Sequence, residues 1–208
     1  MTTRFPLLFL ALLPLGVQAH PHAWIDVRST IVMSAEGLIS AIEEEWLFDD
    51  LYSAAVVGGF KNDSPGKAAT VRDFAPEVIK NLEPYGYFMR LTADDRQIKL
   101  DTVTEYKSEM KGQQLMLSFT APLAKPVDPS RYAVSFAVYD PTYYIHMAHL
   151  VAQPPTIRSR KKTACQARVE PARPSHEDLA RAFALDQGAS PQYDLGHLFA
   201  EKVLVQCK

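Results

Sequence analysis

The stretch AWIDVRSTIVM-SAEG-LISAIEEEWLF, Ala23 to Phe48, decides the fold. Its first run, residues 23–33, is rich in β-branched residues and alternates between apolar and polar. Ser34-Ala35-Glu36-Gly37 is turn chemistry, and residues 38–48 resume the alternation. Two alternating runs joined by a short glycine-bearing turn predict a β-hairpin. Asp49 and Asp50 follow, acidic side chains suited to the positive end of a helix predicted over residues 51–60. Residues 61–67, with Pro65-Gly66, read as a loop. A second helix is predicted over residues 71–82, stopped by Pro84 and Gly86.

Beyond it the strand pattern returns. Residues 87–91, 97–105, 114–120 and 132–139 read as strands, with turns at Ala93 to Asp95 and around Lys111-Gly112. Residues 153–162, with Pro154-Pro155 and a basic run, read as an exposed loop. Ser175 and Asp178 form a capping box that opens a helix over residues 177–185. A short helix over residues 195–200 leads into a last strand, residues 202–207. Strands dominate and no strand–helix–strand rhythm repeats. The expected fold class is therefore α+β: a mainly antiparallel, hairpin-rich β-sheet body with a few short helices.

Ahead of the hairpin, Arg4 precedes an apolar stretch from Phe5 to Val17, and Val17-Gln18-Ala19 sets small residues at a signal-peptidase site. Pro6, Pro14 and Gly16 interrupt the stretch, which falls short of the roughly 20 apolar residues of a membrane span. The expected organisation is a signal peptide, residues 1–19, and a single periplasmic domain, residues 20–208. No later segment is long and apolar enough to span a bilayer, so the mature chain is expected to be soluble. The near balance of 22 basic and 24 acidic residues argues against nucleic acid as a partner. Cys165 and Cys207 are the only 2 cysteines and are expected to pair in an oxidising compartment.

Cleavage after Ala19 would expose His20-Pro21-His22 as the new terminus. An amino-terminal histidine offers its amine and its ring Nδ1 to one metal ion, and His22 can join them. Pro21 has no N–H, so the square-planar arrangement that uses a deprotonated second-position amide is excluded. Further ligands must come from the fold. Glu43-Glu44-Glu45 and Asp49 lie on the hairpin strand facing the histidine-bearing one; the glutamates are expected to form a solvated strand face. A second group runs from Asp140-Pro141-Thr142 to His146 and His149, whose spacing suits a helix face better than a strand. The expected metal set is His20, His22, Asp49, Asp140 and His146. Zinc, nickel, cobalt and copper all suit such donors. His176 and His197 are expected at the surface, and Trp24, Trp46 and the paired tyrosines as sheet and core contacts. There is no Ser or Cys nucleophile elbow, no Gly-rich phosphate loop and no HExxH.

The opening His20-Pro21-His22-Ala23-Trp24-Ile25-Asp26 resembles that of a bacterial periplasmic family catalogued as domain of unknown function 1007. Trp46-Leu47-Phe48-Asp49, Tyr139-Asp140-Pro141-Thr142-Tyr143-Tyr144, then Leu195-Gly196 with Phe199-Ala200-Glu201 and Cys207, follow in that family's order. His20, His22, Asp49 and Asp140 fall on matching positions; at His146 the family more often has an apolar or aromatic residue. The resemblance implies association with nickel/cobalt-type transporters, and its members are often labelled ABC-type transport substrate-binding proteins. A two-lobed solute-binding protein, however, needs repeated strand–helix units and a longer chain. The expected function is thus a periplasmic metal-binding accessory, a chaperone or partner of a membrane metal transporter, and not an enzyme. The alternatives are a metal-free envelope interaction module and a copper-dependent histidine-brace oxidase.

Overall fold

The structure is a computed structural model and describes residues 21–60, 70–162, 164–184 and 194–207. The predicted hairpin is present: β1 (Ala23–Met33) pairs antiparallel with β2 (Ile39–Phe48), and Gly37 closes the turn at φ 86°. That left-handed backbone suits a residue without Cβ. The chain continues through α1 (Asp50–Gly59) and α2 (Val71–Leu82), as the capping and periodic signals predict.

The remaining strands are β3 (Met89–Ala93), β4 (Arg96–Ile98), β5 (Glu105–Lys111), β6 (Gln114–Val127), β7 (Val134–Val138), β8 (Ile145–His149), β9 (Thr156–Ser159), β10 (Gln166–Glu170) and β11 (Lys202–Gln206). A third helix, α3 (His176–Ala184), and a short 3-10 turn, Gly196–Leu198, precede β11. One sheet runs β5-β6-β2-β1-β8, with β9 also on β1; the other runs β10-β11-β7-β3-β4. All pairs are antiparallel except β1 with β8 and with β9. The α+β class with a mainly antiparallel body is therefore what the chain adopts.

Several boundaries differ from the sequence expectation. The strand expected over residues 87–91 starts at Met89, because Gly86, Tyr87 and Phe88 sit at φ 61°, 55° and 57°. Tyr87 is held there by burial and by its hydroxyl, which accepts the Val103 N–H at 3.1 Å. The strand expected over residues 97–105 is two: β4 ends in one sheet and β5 begins in the other. The alternation of Ile98 and Leu100 slips by one residue at Asp101-Thr102, after which Val103 is the next buried position, and that slip accompanies the change of sheet. The loop expected over residues 153–162 contains β9, and β8 and β10 were not anticipated at all. Helix α3 begins one residue earlier than expected; its expected end at residue 185 lies outside the described residues.

The inner faces of both sheets feed one apolar core. In β1 the residues Ala23, Ile25, Val27, Ile31 and Met33 point inward with Ser29, an alternation of period two. Trp46, 1% exposed, meets Phe119 edge-on at 5.1 Å and lies over Phe88. Helix α2 adds Phe74, Ala75, Ile79 and Leu82 to this core. The Ser108 hydroxyl is inserted in its first turn, accepting from Ala75 N and donating to Val71 O. Cys165 and Cys207 form a disulfide. Because Gln166 pairs with Gln206, the two cysteines face each other just beyond the β10–β11 ladder. Among the described residues no helix is long and apolar enough to cross a membrane.

Candidate functional site

Parallel pairing makes β1 and β8 start at the same end of their sheet, where antiparallel β2 finishes. Trp24 lies beside His146 in register, and Ile25 beside Phe48. One residue before β1, His22 donates its backbone N–H to Tyr144 O at 2.9 Å, and the two rings stand 4.7 Å apart. His146 is partly buried; burial pulls its imidazole below the ordinary histidine value, against the pull of Glu201. A neutral ring keeps a lone pair available near neutral pH.

Asp49 stands at the same end. One carboxylate oxygen accepts from Tyr52 N at 2.8 Å and caps α1; the other accepts from Trp24 N at 2.8 Å. Asp140, 5% exposed, accepts from Thr142 N at 2.9 Å and Ile145 N at 3.0 Å, and also from the Thr142 hydroxyl. These bonds make both aspartates organisers of backbone: Asp49 joins β1 to α1, and Asp140 shapes the turn that launches β8. Gly196 closes over that turn. Its N–H donates to Pro141 O at 3.0 Å, and a Cβ there would lie 1.9 Å from Asp140 O. Tyr143, at φ 58°, stacks on Phe199 at 4.0 Å between ring centres.

His20 lies outside the described residues. Among the described residues there is no group of three or more His, Cys, Asp or Glu side chains placed to hold a metal ion. The structure thus brings His22 and His146 to neighbouring strand starts, and commits Asp49 and Asp140 to hydrogen bonds within the chain.

A second constellation lies inside the sandwich. Ser29 pairs with Glu44 across the hairpin, and its hydroxyl is 2.8 Å from Glu44 Oε1 and 3.0 Å from His149 Nε2. His149 Nδ1 is 3.1 Å from Glu201 Oε2, an oxygen that also accepts the His149 backbone N–H at 2.7 Å. Trp46 Nε1 donates to the other Glu44 oxygen at 3.1 Å. Burial pushes Glu44 up to about 8, against hydrogen bonds from Ser29 and Trp46. Partial burial raises Glu201, but the ring and backbone of His149 outweigh it and hold this carboxyl below its ordinary value. Ser29, His149 and Glu201 reproduce the order of a nucleophile, base and acid. Ser29 is 0% exposed, however, so this hydroxyl faces the core and not a substrate.

A family model described as "Protein of unknown function (DUF1007)" matches residues 5–207. The chain belongs to this family. It is also 30% identical over 196 residues, 93% of each chain, to a protein of Haemophilus influenzae (strain ATCC 51907 / DSM 11121 / KW20 / Rd) named "Uncharacterized protein". Apart from Cys207, the stretches that carry the resemblance gather around β1 and β8 in this DUF1007 chain. Residues 22–24 touch Asp49 and Tyr144, Gly196 packs on Asp140-Pro141, and Phe199 and Glu201 hold Tyr143 and His149.

The solvated face expected of the three glutamates does not hold for Glu44, which is 1% exposed. The signal was present, because Ile42, Glu44, Trp46 and Phe48 share one parity of the strand. Ser29 shares the parity of Val27 and Ile31 in the same way. His149 is a sequence candidate beside His146, but nothing local points to Glu201, which lies 52 residues away from it.

Proposed function

We propose that this protein is a periplasmic binder of a divalent transition metal that serves as an accessory to a membrane metal transporter. The observation that carries the reading is the common start of β1 and β8, which sets His22 against Tyr144 and His146 beside Trp24. His22, just ahead of β1, and His146 on β8 would supply two imidazoles at these strand starts, with the ring and freed amine of His20 as the remaining nitrogen donors. Such a set suits zinc, nickel, cobalt or copper. Asp49 and Asp140 act by fixing the two strand starts. The periplasmic location draws on the leader-like residues 1–19 and on the disulfide; the transporter partnership draws on the family resemblance.

Calorimetric titration of protein beginning at His20 with zinc, nickel and copper tests this. A single ion is expected, with His22→Ala and His146→Ala each weakening affinity about tenfold, or about 1.4 kcal/mol. Identical, negligible uptake by the unaltered protein and both variants would overturn the reading. A metal-free envelope interaction module is the second reading. It is favoured by Trp24, Leu51 and Tyr144, which are 50%, 79% and 45% exposed near the same strand starts.

A further inference from the structure

We infer that Glu44, Ser29, His149 and Glu201 form one proton-binding unit, closed by hydrogen bonds only while a proton resides on the Glu44–His149 pair, whose loss breaks the ring contact between His149 and Glu201. The inference is independent of metal binding. It follows from counting donors along the chain of contacts at 2.8, 3.0 and 3.1 Å.

With the proton on Glu44, its O–H donates to Ser29 Oγ, the Ser29 hydroxyl donates to His149 Nε2, and His149 Nδ1–H donates to the Glu201 carboxylate. With the same proton on His149 instead, both ring nitrogens donate, Nε2 to Ser29 and Nδ1 to Glu201, and Ser29 donates to the Glu44 carboxylate. Every link is made in both forms, and Nδ1 carries a proton in both. When that proton leaves to solvent, ionised Glu44 takes the Ser29 hydroxyl as donor. Neutral His149 then has one N–H for two acceptors, Ser29 Oγ and Glu201. One link must break.

Burial decides which. Ser29 and Glu44 are sealed in the core at 0% and 1% exposure, where an unmade hydrogen bond costs most. The Glu201 side chain is 22% exposed and can exchange its ring contact for water. The ring proton therefore moves to Nε2, and bare Nδ1 faces the Glu201 carboxylate. What remains between them is the backbone bond from His149 N.

The surrounding groups leave this count intact. Glu44 meets Ser29 and, on its own strand, Trp46 Nε1, with Phe119 opposite it on β6. Tyr87 packs against Phe119 from the far side, its hydroxyl engaged by Val103. Glu201 faces His149 and feels His146 through space.

Imidazole nitrogen NMR of the whole protein, from about pH 6.5 to 9.5, reads the switch directly. The Nδ1 proton of His149 is expected below the transition and Nε2–H alone above it, with a midpoint near the value of about 8 that burial imposes on Glu44. Glu44→Gln, whose amide donates permanently to Ser29, is expected to keep Nδ1–H throughout. Ser29→Ala cuts the chain by another route and is expected to remove the transition. An unchanging His149 tautomer in the unaltered protein, or the same transition in either variant, would overturn the inference.

Discussion

Glu43 and Glu45 face outward, each against an arginine, Arg158 and Arg28, while Glu44 between them is enclosed in the core. An ordinary glutamate ionises in the unfolded chain, whereas folded Glu44 holds its proton up to about 8. Between those two values the folded state binds more protons, so stability falls as pH rises. The contribution is fully present below the unfolded value and is lost once pH has passed about 8, at most about 5 kcal/mol. Glu44→Gln imitates the protonated acid: its amide reaches Ser29 and its oxygen accepts from Trp46. Thermal denaturation is expected to show a clear gain over the unaltered protein at pH 9 and little difference at pH 4.5. A variant less stable than the unaltered protein at pH 9 would contradict this account. The burial of Glu44 was legible in strand parity. The relay was not, because its remaining members, His149 and Glu201, arrive from distant parts of the chain.

Among the elements, the hairpin, α1 and α2 were legible because each is specified locally by turn, capping and periodic residues. The pair β8 and β9 was not. Both lie parallel to β1, so no hairpin turn announces them, and His146 and His149 share a spacing that reads as helical. Their partner is more than a hundred residues earlier. The strand starts are fixed instead by Asp49, which caps α1 and holds Trp24 N. Asp49→Ala removes both bonds and is expected to cost about 1–2 kcal/mol. Asp49→Asn keeps an acceptor for one of them and should recover part of the loss. Denaturant unfolding of the three proteins checks the order; equal stabilities would show that the cap is idle. The same comparison bears on the site, since a loosened β1 start displaces His22 from Tyr144.

Across the whole molecule, the sequence specified strand richness and class but not the division into two sheets. The change of sheet between β4 and β5 is marked only by a one-residue slip in the alternation at Asp101-Thr102. The Cys165–Cys207 pairing was legible from cysteine count, and its place became intelligible once β10 and β11 were seen as neighbours. Closing a loop of 42 residues stabilises the fold by about 4 kcal/mol in the chain-entropy model. Replacing both cysteines with serine is expected to lower unfolding free energy by that order, and to raise hydrogen exchange first in β10. At the other end, of the residues expected as metal ligands, His22 and His146 are brought to adjoining strand starts, whereas Asp49 and Asp140 serve the backbone. The most direct test of the proposed metal binding is elemental analysis of tag-free protein recovered from its own host. Close to one equivalent of zinc, nickel, cobalt or copper is expected, reduced in a His20→Ala/His22→Ala variant. Protein free of these metals, and indistinguishable from that variant, would contradict it.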